Sequence, residues 1–264
     1  MRLEDKVAVV TGGAHGIGRA LAIRFKAEGA RAVVVVDQDV AGAEALANEI
    51  GGVAMGADVA VEEDVVRVTG ETEKRFGRID LFCSNAGIYC EDPTTAGSTS
   101  SEDWNRMWNV NVMAHGHAAR AALPAMLERG EGYFLNTVSA AGVLSHPNSA
   151  PYATTKHAAI GFAESLAIAH GDQGIGVSVI CPQAVRTAML RGLDEGDLLD
   201  GGVQGLDGVL EPEEVAQSSM EALAEERFLV LPHPEVLKYM RRKTSDYDRW
   251  LKGMRRLRAR FLES

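Results

Sequence analysis

The chain has only three cysteines in 264 residues, scattered at 83, 90 and 181. An odd, scattered set excludes a disulfide framework and offers no metal-ligand spacing. No metal is therefore expected, and a reducing, cytoplasmic setting is predicted. Cys83 and Cys181 lie in apolar, strand-like runs and read as core residues. No apolar run approaches the ~20 residues that a membrane helix needs, so no membrane span is expected. The opening MRLEDK puts acids before any apolar stretch and predicts no secretory signal. Positive charge is scarce overall: 27 Lys+Arg stand against 37 Asp+Glu, a net charge of −10, which disfavours nucleic acid as a general partner. There is no internal repeat.

What the chain does have is alternation. Short β-branched runs predict strands at 6–11, 31–36, 53–57, 80–84, 132–138, 175–181 and 228–232. Between them, helical periodicity predicts helices at 17–29, 41–50, 62–76, 102–129, 151–170 and 211–224, with Pro124 kinking or breaking the fourth. Such alternation argues an α/β fold: one Rossmann-type domain over 1–264, a doubly wound parallel sheet with helices on both faces.

The first strand, KVAVVT, is followed at once by GGAHGIG and then by a helical run. Gly12, Gly16 and Gly18 thus fall in a strand-to-helix turn, with His15 and Ile17 among them. Glycine permits a tight turn and lets backbone approach a pyrophosphate; the helix N-terminus supplies free N–H groups for it. The spacing is GxxxGxG, not GxGxxG. Asp37 ends the second apolar run, 19 residues after Gly18. A carboxylate at that distance suits the ribose 2′-hydroxyl of NAD and repels the 2′-phosphate of NADP. The loop holds no Arg or Lys, and His15 is its one candidate cation. NAD is the expected cofactor, with NADP disfavoured.

Tyr152 and Lys156 are four residues apart in Ala-rich, helix-compatible sequence, so they share a helix face. A phenol has an ordinary pKa of about 10, and a neighbouring ammonium favours phenolate. The Ser139 hydroxyl can hold a substrate oxygen while Tyr152 moves the proton. A Tyr–Lys pair alone is a chance pattern in many helices; its place after a nucleotide-type glycine turn gives it weight.

Together these motifs resemble the compact branch of the short-chain dehydrogenase/reductase family, over about residues 3–190. TGGAHGIG is similar to the family's TGxxxGIG loop, SNAG at 84–87 to its NNAG, and CPQAVRT at 181–187 to its PGxVxT segment. The resemblance implies a catalytic tetrad of Asn111, Ser139, Tyr152 and Lys156. It implies adenine contacts at Asp58 and Val59, and cofactor contacts at Asn85, Ala86 and Gly87. Pro182, Val185 and Thr187 are implied beside the nicotinamide. Lys156 is implied on the nicotinamide ribose, with Asn111 positioning it through water. The activity implied is hydride transfer between NAD and a secondary alcohol or ketone. A substrate lid is implied at 191–214, and a homodimer or homotetramer through helices 102–129 and 151–170. Two departures stand out: Gln183 replaces the family's glycine after Pro182, and the C-terminus is a charged helical segment.

His146, Pro147, Asn148, Gln183, Met189 and Leu190 fall where pocket walls are expected, and their mixed, mainly apolar character suggests a bulky hydrophobic alcohol or ketone. From 234 to 264 runs a basic amphipathic extension. Residues 238–260 carry ten Lys/Arg against Asp246 and Asp248. The expectation is a tail helix with a solvated basic face docked on an acidic surface. A polyanion- or membrane-surface tail is the alternative. Its apolar stripe (Tyr239, Met240, Tyr247, Trp250, Leu251, Met254, Leu257, Phe261) is expected to be covered by core or subunit contacts. Competing functions are an NADPH-dependent carbonyl reductase and a non-catalytic NAD-sensing protein.

Overall fold

The apolar runs pair side by side in the computed structural model, which describes residues 1–92, 94–190 and 207–263, with side chains through 259. The strands are β1 (Val7–Thr11), β2 (Ala32–Asp37), β3 (Val53–Gly56), β4 (Leu81–Ser84), β5 (Gly132–Thr137), β6 (Ile175–Ile180) and β7 (Leu229–Val230). All pairings are parallel, in the order β3-β2-β1-β4-β5-β6-β7. Parallel strands need crossover helices, which cover both faces, so the strands are mainly apolar on both sides.

Alternate residues feed two cores. Ala8, Val10, Val33, Val35, Leu81 and Leu135 face α1 (Gly16–Ala27), α2 (Val40–Ile50) and α7 (Pro212–Glu225). Val9, Val34, Phe82, Phe134 and Val179 face α3 (Glu62–Phe76), α5 (Ala114–Arg129) and α6 (Ala150–His170). The doubly wound sheet expected from the alternation is the observed one.

The helix expected at 102–129 is two helices. α4 (Ser101–Trp108) and α5 are joined by a π turn at Asn109–Met113. Pro124 lies inside α5, so the interruption is not at the proline. Its cause is Asn111, fully buried, whose carboxamide is committed to the loop after β4. Two further helices, α8 (Glu235–Ser245) and α9 (Tyr247–Glu263), form the C-terminal extension. Val236 of α8 is fully buried with Ala140 and Leu144, and Tyr239, Met240 and Trp250 pack there. Tyr247 and Leu251 of the expected stripe are about half exposed, 55% and 49%, among the described residues. The Phe261 side chain lies outside the described residues, as do residues 191–206 of the expected lid. Residues 207–210 are pinned instead to the segment after β6: Val185 and Leu210 form a parallel bridge.

Opposite the crevice, Asp80 fixes the start of β1 against β4. It is 2% exposed and accepts from the Val7 N–H at 2.8 Å, with Arg78 and, at 3.7 Å, Lys6 as ion partners. Asp80→Ala leaves the buried Val7 N–H without its acceptor, while Arg78 and Lys6 keep Glu131. It is expected to cost about 2 kcal/mol, read as a lower urea midpoint at unchanged slope.

Candidate active site

The sheet reverses its winding between β1 and β4, and a crevice opens there at the carboxyl ends of the strands. The two edges are stitched together. The Thr11 hydroxyl accepts from the N–H groups of Asn85 (3.0 Å) and Ala86 (3.2 Å). The Asn85 amide donates back to the carbonyls of Thr11 (3.1 Å) and Gly12 (3.2 Å). A cleft of about 1030 Å³ follows this crevice.

Its walls gather most of the residues singled out in the sequence. Gly12, His15, Gly16, Ile17 and Asp37 line one end, with Asp58 and Val59 beside them. Asn85, Ala86 and Gly87 form the floor. Ser139, His146, Tyr152, Lys156, Pro182, Gln183, Val185, Thr187, Met189 and Leu190 line the other end. Four expected residues do not line it. Gly18 acts from behind: a Cβ there would sit 2.1 Å from the Gly12 carbonyl oxygen. Asn111 lies beneath the surface. Pro147 and Asn148 are corrections: neither lines the cleft, and their carbonyls accept from Arg258 and from the Asp92 N–H respectively.

At the glycine end, Gly12 and Gly16 have φ of +61° and +52°, which side chains disfavour. Asp37 accepts from the Ala14 N–H at 3.0 Å and from the Asp39 N–H at 3.0 Å, so its carboxylate is aimed at the turn. His15 is 2.7 Å from Asp39. Hydrogen bonds from the Gly42 N–H and then from His15 hold the Asp39 carboxyl below the usual carboxylate range. The loop's one candidate cation is therefore already paired with an acid.

At the far end, Ser149 caps α6, accepting from the Tyr152 N–H at 3.2 Å while donating to the Cys90 carbonyl at 2.6 Å. With Pro151 in the first turn, this starts the helix where Tyr152 and Lys156 both point inward. The Lys156 ammonium stands 5.5 Å from the Tyr152 ring centroid and 3.5 Å from the Thr137 carbonyl. Asn111 explains the π turn. Its Oδ1 accepts from Ile88 N–H (2.9 Å), and its Nδ2 donates to the Ile88 carbonyl (3.0 Å) and to Thr155 (3.2 Å). It thereby locks the floor of the cleft to α6, one residue from Lys156.

The electrostatics correct one expectation. Burial pushes the Tyr152 phenol up, outweighing the Ser139 hydroxyl that pulls it down. Burial also lowers Lys156 to about 8. Both charged forms are desolvated here, and that outweighs their proximity. Tyr152 of the free protein is accordingly a neutral phenol.

Tyr89 was not visible from sequence. Its ring meets those of His146 (5.3 Å) and Tyr152 (5.2 Å) edge-on, and His146 meets Tyr152 at 5.8 Å, making a three-ring wall. Its position just past SNAG, at the carboxyl end of a strand, was the available signal. Burial pushes His146 down to about 4, so this wall is uncharged at neutral pH. Cys90 backs Tyr89 in the cluster with Met107, Ala141 and Tyr152.

The buried ammonium has a measurable consequence. A cation whose pKa is lower folded than unfolded binds more protons unfolded, so stability rises with pH between about 8 and the usual lysine value. Lys156→Met removes this contribution. The variant is expected to exceed the wild type in unfolding free energy at pH 7, and the gap is expected to close as pH passes 8 towards 10. Urea titrations at pH 7, 8.5 and 10 measure it; a constant gap contradicts the burial argument.

Comparison with known proteins gives the family. The short chain dehydrogenase family model matches residues 6–197. The chain is 35% identical over 240 residues to the 1-deoxy-11-beta-hydroxypentalenate dehydrogenase of Streptomyces exfoliatus, covering 89% of this chain and 86% of that protein. It is 33% identical over 224 residues to the meso-2,3-butanediol dehydrogenase of Serratia marcescens, covering 82% and 86%. A solved short chain dehydrogenase/reductase from Burkholderia phymatum, in complex with NAD, superposes with a TM-score of 0.82 at 29% identity, over 94% of this chain and 96% of that one. The chain belongs to the short-chain dehydrogenase/reductase family.

Proposed function

We propose that this protein is an NAD-dependent oxidoreductase that interconverts a bulky, largely apolar secondary alcohol and its ketone. The observation that carries the reading is one cleft with a glycine turn and Asp37 at one end and Ser139, Tyr152 and Lys156 at the other.

The residues fit a dinucleotide. Side chains are excluded where backbone must come close: a Cβ on Gly18 meets the Gly12 carbonyl, and one on Gly87 would lie 3.3 Å from Lys156 Nζ. The Gly12–Gly18 turn and the N–H groups opening α1 suit the pyrophosphate. Asp37 suits the adenosine 2′-hydroxyl, and Asp58 and Val59 the adenine. Pro182, Val185 and Thr187 suit the carboxamide, and Lys156 the nicotinamide ribose. With His15 held by Asp39, two carboxylates stand at this end, and the one cation of the glycine loop is paired, which favours NAD over NADP. Bound NAD supplies the hydride acceptor in oxidation, and its reduced form the donor in reduction.

The protein's own part is the proton. Ser139 donates a hydrogen bond to the substrate oxygen. In reduction, the neutral Tyr152 phenol gives its proton to that oxygen as the carbonyl becomes an alcohol. In oxidation, tyrosinate takes it back, and the Lys156 ammonium over the ring stabilises that phenolate. Oxidation therefore needs the deprotonated phenol and is expected to speed up as pH rises, while reduction slows. The uncharged wall of Tyr89, His146 and Tyr152, with Leu144 and Met189 also lining the cleft, favours a hydrophobic substrate.

The test is NADH absorbance with a panel of secondary alcohols. Tyr152→Phe is expected to lower kcat by about 10²–10⁴-fold while leaving the NAD dissociation constant unchanged. Loss of NAD binding in the variant, or better rates with small polyols than with any hydrophobic alcohol, contradicts the reading. Asp37→Ser is expected to cut the NAD-over-NADP ratio of kcat/KM by about tenfold or more; an unchanged ratio moves cofactor choice away from Asp37.

A further inference from the structure

The basic C-terminal segment has no part in the chemistry above, yet its polar side chains reach the loops that form the substrate end of the cleft. We propose that α8 and α9 are a positioning element that braces both substrate-side walls and thereby sets selectivity for bulky alcohols. The inference rests on the functional reading above.

The first brace is Lys243. It is 8% exposed, and its ammonium donates to the Val143 carbonyl at 2.9 Å. His157 Nδ1 lies 2.8 Å from the Ala153 carbonyl and must be its donor, so the bare Nε2 accepts from Lys243 at 3.3 Å. A buried ammonium is costly unless hydrogen-bonded. This one is satisfied by the loop after Ser139 and by α6, which ties α8 to both.

The second is Arg258. Its guanidinium donates to the Pro147 carbonyl at 2.6 Å and to the Thr94 carbonyl at 3.4 Å. One planar group thus bridges the loop carrying His146 and the loop carrying Tyr89. Those two rings and Tyr152 meet edge-on, so a shift of either loop moves the aromatic wall. Lys243 and Arg258 hold His146 from both sides, at Val143 and Pro147.

The third brace reaches the opposite wall. Tyr239 donates to Asp207 Oδ1 at 2.9 Å, and Gln183 Nε2 donates to Asp207 Oδ2 at 3.0 Å. An ionised carboxylate only accepts, so it fixes which end of the Gln183 amide faces it. His233, just before α8, accepts from the Gln183 N–H at 3.1 Å. The residue standing where the family has glycine is thereby anchored to the extension. The apolar face of α8 packs on Leu144, which itself lines the cleft. These contacts engage the substrate-side loops and leave the glycine turn and Asp37 untouched. Arg258 and Lys243 are also spent on carbonyls, which is neither the acidic-surface docking expected nor a form in which a polyanion can use them.

Full-length Tyr239→Phe and Arg258→Gln, each saturated with NAD, test the proposal against borneol as a bulky alcohol and isopropanol as a small one. Each variant is expected to raise KM for borneol by about five- to tenfold, with kcat, the isopropanol parameters and the NAD dissociation constant within about twofold of wild type. Arg258→Lys is expected to recover part of the loss. Equal losses on both alcohols, or no change on either, overturn the proposal. If the wild type oxidises no alcohol, the functional reading fails separately. Amide exchange over residues 143–149 then decides the brace: faster exchange in Arg258→Gln, with β5 unchanged, supports it, and wild-type exchange overturns it.

Discussion

Burial governs this protein from the sheet outward. A parallel sheet covered on both faces is mainly apolar, so the polar groups that line its cleft gather at the ends of the strands. At the amino ends, Asp80 spends its charge on the Val7 N–H and on Arg78. At the carboxyl ends the winding reverses between β1 and β4, and Thr11 and Asn85 stitch the opening. Everything placed around the cleft depends on that stitch, because it sets the distance between the glycine turn and the SNAG loop.

The same desolvation shapes the reactive end. Tyr152 and Lys156 are brought together by helix periodicity, which by itself favours a phenolate–ammonium pair. Their burial opposes both charges, so the phenol is pushed up and the amine down to about 8. A neutral phenol beside a weakly held ammonium is a proton donor in waiting. In the proposed reaction, each charge that forms there would have a neighbour to stabilise it in a medium where such interactions are strong. Asn111 serves this arrangement mechanically: by bonding both backbone groups of Ile88 it fixes the floor against α6, and the helix accommodates with a π turn.

The features legible in the sequence are those whose cause is local. β-branched runs gave β1 to β6 to within two residues, because a buried parallel strand needs nothing but apolar side chains. The glycine turn and the Tyr152–Lys156 spacing were legible for the same reason, being backbone and helix geometry. What stayed hidden is long-range. The break at Asn109–Met113 arises from a contact with Ile88, far along the chain, and no propensity at those positions announces it. Proline, a local signal, pointed to 124 and was overridden by packing. Tyr89 reads as a loop residue until β4 and α6 bring it against Tyr152. The direction of the Tyr152 shift is not legible in the sequence, because the ammonium is visible there and the burial is not.

The C-terminal extension carries this distinction furthest. By composition it is a basic amphipathic helix, for which a docked tail is the expectation and a polyanion or membrane surface the alternative. The structure separates its cations by what they touch. Lys243 and Arg258 end on neutral carbonyls of the loops flanking His146, where charge provides strong, directional hydrogen bonds in place of long-range attraction. Tyr239 ends on Asp207, whose second oxygen holds Gln183. Gln183 departs from the family's glycine at the point where a longer side chain can be reached from α8. Gln183 and the charged helical ending, the two points at which the chain departs from the motifs it resembles, are thus parts of one hydrogen-bonded arrangement, and a change in either alters what the other can hold.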